Sequence, residues 1–101
     1  MNRQPIDLSH LARQAGEDEA LAAEVLRLFA ARAPADVARL KAASGQARRE
    51  VAHLLVGSAR AIGAEEVARL AAAIEAGGGD ADALEAAVTE AVRFIAAHLA
   101  A

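Results

Sequence analysis

Apolar side chains recur along this chain at the three- and four-residue spacing of amphipathic helices, and the breaks in that pattern fall at residues that end helices. Asp7 is placed to cap a short first helix whose inner face is Leu8, Leu11, Ala12 and Ala15, with Gly16 as its stop. Glu17, Asp18 and Glu19 put negative charge at the start of a second helix, where the helix dipole favours it. Its stripe runs through Leu21, Val25, Leu28, Phe29, Ala33, Val37 and Leu40 before Ser44-Gly45. Pro34 lies inside this stretch and removes a backbone hydrogen bond, but the apolar period survives across it, so one kinked helix is expected rather than two. A third helix is predicted over about residues 47–62, closed by Gly63 as a left-handed cap. A fourth begins near Ala64 and turns Val67, Leu70, Ala71 and Ile74 inward. Gly77-Gly78-Gly79 reads as a flexible spacer, and Asp80 or Asp82 as the cap of a last helix burying Leu84, Val88, Ala91, Ile95 and Leu99. Four long amphipathic helices behind a short one, joined by short connections, predict an all-α antiparallel up-and-down four-helix bundle with a short extra N-terminal helix. The expected extent is a single domain over residues 1–101, with no internal repeat and no dividing linker.

Composition narrows this picture. Of 101 residues, 31 are alanine, so the apolar fraction of 55% overstates the large side chains available for a core and suits closely packed helices. Only two aromatic residues, Phe29 and Phe94, and few β-branched ones argue against a sheet. A net charge of −3 gives no basic footprint, which excludes nucleic acid as the expected partner. With no cysteine there is neither a disulfide framework nor a thiol chemistry to consider. No run approaches the roughly 18 apolar residues of a membrane span, and the start Asn2-Arg3-Gln4-Pro5 lacks the apolar core of a signal peptide. A cytoplasmic location, no membrane association and a monomeric state are therefore expected.

The candidate chemistry sits in the third helix, in Val51-Ala52-His53-Leu54-Leu55-Val56-Gly57-Ser58-Ala59-Arg60-Ala61-Ile62-Gly63-Ala64. At about 100° per residue, Val51, Leu55, Ser58, Ala59 and Ile62 fall on one side of the helix, and His53, Gly57, Arg49 and Arg60 on the other. The imidazole is thus presented to water. Neutral imidazole is a nucleophile, which suits transfer of a group to a ring nitrogen. A zinc site is disfavoured, because there is no cysteine and neither His10 nor His98 has a second ligand at metal spacing. Those two read as surface histidines near helix ends. Ser58 lies roughly 140° around the helix from His53 and cannot share a proton with it. Gly57 sharpens the reading: glycine inside a helix costs about 1 kcal/mol relative to alanine, in a chain that places alanine almost everywhere else, so this position is kept bare beside the ring.

These residues, His53-Leu54-Leu55-Val56-Gly57-Ser58-Ala59 followed by Ile62-Gly63-Ala64, resemble the signature of histidine-containing phosphotransfer (HPt) domains, in which His-x-x-Lys-Gly-Ser precedes a Gly-Ala helix end. The likeness extends over about residues 6–99. It implies a phosphorelay intermediate in which His53 accepts a phosphoryl group from an aspartyl phosphate on a response-regulator receiver domain, or returns one, with a hybrid histidine kinase as a further partner. It also implies a carrier rather than an enzyme, with no cofactor of its own and Mg²⁺ on the receiver. The chain has no GxxxxGK[ST] motif for ATP. An initiating Met1 and a compact domain favour a stand-alone protein over a piece of a hybrid kinase.

The chain departs from the family pattern where Val56 stands in place of the lysine. Arg49 and Arg60 lie within about 40° of His53 on the helix surface, and Arg60 is the favoured substitute cation, although two turns, roughly 10 Å of rise, oblige it to fold back. Val56 and Leu54 are expected to expose the apolar area on which a receiver docks, with a partly buried edge of the core as the equal alternative for Val56. The alternative reading is a helical adaptor that binds a receiver or kinase without accepting phosphate, and Val56 is its best support.

Overall fold

The computed structural model describes residues 4–101, which form five helices: α1 (Leu8–Gln14), α2 (Glu19–Ala42), α3 (Gly45–Ile62), α4 (Glu65–Glu75) and α5 (Ala81–Ala100). Three of the five start on an aspartate whose carboxylate accepts from the first-turn amides: Asp7 from His10, Asp18 from Leu21, and Asp80 from both Asp82 and Ala83. Each of the four long helices packs on two neighbours in the cyclic order α2–α3–α4–α5, and the backbones of the diagonal pairs stay more than 8 Å apart between Cα atoms. The short α1 lies across α2 and α3. This is the all-α antiparallel bundle with a leading short helix that the apolar period predicts.

The second helix is continuous through Pro34, but its buried face differs from the expected one. Leu26, Phe29, Ala33, Val37 and Leu40 are buried, whereas Leu21 and Leu28 are 44% and 55% exposed. Leu21 and Leu28 lie roughly 80–100° around the helix from Phe29, so what reads in sequence as one broad stripe is two, one facing the core and one facing water. In α3 the buried residues are Val51, Ala52, Leu55, Val56, Ala59 and Ile62, an arc wider than a simple stripe because α2 and α4 flank this helix on both sides. Ser58 is exposed rather than inward, and its hydroxyl donates to the Leu54 carbonyl at 2.9 Å.

The turn between α3 and α4 fixes where α3 ends. Gly63 has φ +75°, and the Ala64 amide reaches back to the Ala59 carbonyl (2.8 Å) while the Gly63 amide reaches the Arg60 carbonyl (3.2 Å), closing the helix end with a left-handed residue. The N-terminal segment is strapped to this turn. The Asp7 amide donates to the Gly63 carbonyl at 2.9 Å, and His10 Nε2–H donates to the Arg60 carbonyl at 2.9 Å. The approach is so close that a Cβ on residue 63 would sit 2.8 Å from the Asp7 carbonyl oxygen.

At the opposite end of the bundle, Lys41 of α2 bridges to Glu85 (2.9 Å) and Asp82 (3.0 Å) of α5. Its ammonium pKa is raised, first by the hydrogen bond to Glu85 and then by that to Asp82. A raised lysine pKa means that the clamp is intact below the ordinary lysine pKa and is lost only as pH climbs through the raised value, so it is insensitive to pH near neutrality. We expect Gly63→Ala to lower the unfolding free energy by about 1–3 kcal/mol through left-handed backbone strain alone, with the clash against Asp7 added, measured by urea denaturation.

Candidate functional site

His53 projects from the middle of α3 with 73% of its side chain exposed. Its orientation is fixed by what lies beneath it: Ala52, Leu55, Val56 and Ala59 are all buried, which obliges residues 53 and 57 to face outward. Gly57 is one turn on, and a Cβ built there would meet nothing within 4 Å. The glycine therefore relieves no clash inside the molecule. Its bareness leaves space beside the imidazole for something that comes from outside.

The ring is not left to rotate. His53 Nδ1 lies 2.6 Å from Glu75 Oε2, the last residue of α4. A carboxylate only accepts hydrogen bonds, so the proton of this contact is carried on Nδ1, and in the neutral ring the lone pair is then on Nε2, turned away from Glu75. Glu75 is absent from the sequence reading because nothing in the period of α4 marks it: it lies 22 positions from His53, and only the packing of α3 on α4 brings the two together. One signal was available. A carboxylate at a helix C-terminus opposes the dipole, and α4 has no basic residue in its last turn to offset it.

Gln46, Arg49, Glu50, His53, Leu54 and Glu75 line one shallow depression. Gln46 organises its rim, accepting from the Arg49 guanidinium at 3.1 Å and donating to Glu50 at 3.3 Å. Arg60 lines a different depression with His10, Gly63 and Arg69. Of the two arginines predicted to support charge at His53, the structure places Arg49 in the depression that holds the ring and Arg60, the one favoured from sequence, in the other.

Val56, expected to offer apolar area to a partner, is only 5% exposed. It lies roughly 60° around α3 from His53, on the flank that α4 covers, so a side chain there packs into the core and is withdrawn from any docking surface. Leu54, on the other flank, is 57% exposed as expected. It shares a groove between α2 and α3 with Leu28, which the apolar period predicts to be in the core, and with Val25, Phe29 and Arg32. Leu54 also borders the His53 depression, so the apolar groove and the imidazole are continuous. Among the described residues no cluster of three or more histidine or acidic side chains is arranged to hold a metal, and no helix is long and apolar enough to cross a membrane.

The model of the Hpt domain family matches residues 24–101. Among solved structures, the crystal structure of the histidine phosphotransferase ShpA from Caulobacter crescentus aligns with a TM-score of 0.81 at 27% sequence identity, covering 95% of this chain and 91% of that one. No curated protein sequence matches the chain.

Because the space around Gly57 is open, Gly57→Ala is expected to raise the unfolding free energy by about 0.5–1 kcal/mol, read from the urea midpoint. A loss of stability would mean that the glycine serves the fold.

Proposed function

The chain belongs to the Hpt domain family of phosphorelay carriers, and from that premise we propose that His53 is the residue that takes a phosphoryl group from the aspartyl phosphate of a receiver domain and hands it to another. The observation that supports this most directly is the exposed imidazole held at Nδ1 by Glu75, with open space at Gly57 one turn on. The Nε2 lone pair forms a bond to phosphorus as the bond from phosphorus to the aspartate oxygen breaks. The electron pair leaves with the receiver's carboxylate, and no proton need move. Such transfer is largely a matter of alignment and charge stabilisation. The Mg²⁺ and acidic residues belong, in this reading, to the receiver.

The receiver docks on the apolar groove next to the site. Leu54 and Leu28 supply exposed apolar surface at the two sides of that groove, of the kind that suits a transient interface. Arg49 is the cation positioned for the phosphoryl oxygens, held by Gln46 in the depression that contains the ring.

Incubation with a receiver bearing labelled aspartyl phosphate is expected to give an acid-labile, base-stable phosphoprotein labelled on His53. His53→Gln should give none while keeping its helical circular dichroism. Receiver binding without label on the wild-type chain would support the adaptor reading instead. Arg49→Ala should slow transfer about tenfold, the lower end for a charge-assisted hydrogen bond, and Arg60→Ala much less. Equal rates for wild type and Arg49→Ala would remove Arg49 from the phosphate site.

A further inference from the structure

Three arginines of this chain reach back three residues along their own helix. Arg39 and Arg69 meet the carboxylates of Asp36 (2.6 Å) and Glu66 (2.7 Å), whereas Arg49 meets the side-chain amide oxygen of Gln46 at 3.1 Å. We infer that Gln46 is a positioning residue for phosphoryl transfer: it holds the Arg49 guanidinium in the depression that contains His53 and leaves its charge uncancelled. This deepens the reading of His53 as the acceptor and Arg49 as its cation, and rests on both.

Two carboxylates line the same depression, Glu50 and Glu75, and Arg49 pairs with neither. Glu75 is taken by the His53 ring at 2.6 Å, and Glu50 accepts from the Nε2 amide of Gln46 at 3.3 Å. One neutral side chain therefore accepts from the cation with its oxygen and occupies the α3 carboxylate with its nitrogen. A carboxylate in place of that amide would cancel part of the charge on which an arriving phosphoryl group depends. Phosphate oxygens would also have to displace it or share the guanidinium with it.

Helical geometry puts this bracket where it can act. Gln46 precedes His53 by seven residues and lies about 20° from it in azimuth, while Arg49 and Glu50 lie on either side of the ring at about 40° and 60°. Arginine has five N–H donors, and Arg49 gives one Nη2 contact to Gln46, so the rest of the fork is free for the two-point pairing that guanidinium makes with phosphate oxygens. A long side chain loses rotamer freedom when it engages a ligand, and one held beforehand loses less. The need is particular to this chain, because Val56, where the family pattern has lysine, is buried and supplies no charge.

The test labels His53 with phosphoramidate, a donor that needs no receiver. The Nε2 lone pair bonds to phosphorus, the P–N bond of the zwitterion breaks, and ammonia leaves with the electron pair. Gln46→Met, which keeps the length and removes both hydrogen bonds, should slow labelling about threefold, the scale of a weak exposed contact, at an unchanged urea midpoint. Gln46→Glu, which keeps the acceptor and adds charge, should slow it more. Side-chain NMR of Arg49 should show restricted guanidinium rotation in wild type and Gln46→Glu, and free rotation in Gln46→Met. In an Arg49→Ala background, Gln46→Met should leave the rate unchanged. An equal loss in both backgrounds, a wild-type rate for either Gln46 variant, or free rotation in wild type would overturn the role of Gln46, and a fallen midpoint in Gln46→Met would make the residue structural. A wild-type rate for Arg49→Ala would remove Arg49, and this inference with it, without touching the acceptor. Failure of wild type to be labelled on His53 by either phosphoramidate or a charged receiver would overturn the acceptor reading itself.

Discussion

Burial of α3 on two flanks at once is the constraint from which the site follows. Leu55 and Ile62 have no exposed surface, and Ala52 and Ala59 likewise. Each large apolar side chain so placed stabilises the fold by about 1.5–3 kcal/mol, and together they hold the helix against rotation about its own axis. With that rotation fixed, His53 and Gly57 can only face outward, Leu54 can only border the α2 side, and Val56 can only sit under α4. The imidazole proposed as the phosphoryl acceptor therefore needs no burial and costs little to desolvate. The described buried residues include no polar or charged side chain at all.

The abundance of alanine serves the same end. Ala52, Ala59, Ala64, Ala68 and Ala71 are all buried, and small side chains there let neighbouring backbones come close. Close approach is what allows a glutamate of ordinary length on α4 to reach a histidine on α3. Residues with longer side chains at these positions would hold the two helices apart and lengthen a contact that is now 2.6 Å. Composition, which says little in sequence beyond fold class, thus has a direct expression in the geometry of the ring.

Much of this was legible in the chain. The caps at Asp7 and Asp80, the acidic start of α2, the left-handed end at Gly63 and the outward azimuth of His53 all follow from local chemistry, which acts over one or two turns and so is written in adjacent residues. What escaped depended on which neighbour lies beside which face. Periodicity cannot tell Leu28 from Leu26 without knowing that α3 and α5 cover only part of α2. It cannot reveal that the flank holding Val56 lies against α4, or that Arg49 shares a depression with His53 while Arg60, on nearly the same azimuth, does not. Glu75 is the extreme case, since its partner comes from another helix and its own position breaks a rule of helix electrostatics.

The strap formed by Ile6, Asp7 and His10 extends the folding unit upstream of α2. The segment common to the Hpt family starts at residue 24, yet Ile6 and Leu11 lie wholly or almost wholly inside the core, and the amide of Asp7 and the ring of His10 satisfy carbonyls at the exit of α3. A boundary drawn from family likeness would cut through the hydrophobic interior and leave the end of the histidine-bearing helix unlatched. The stretch that precedes the family match is here an integral wall of the molecule.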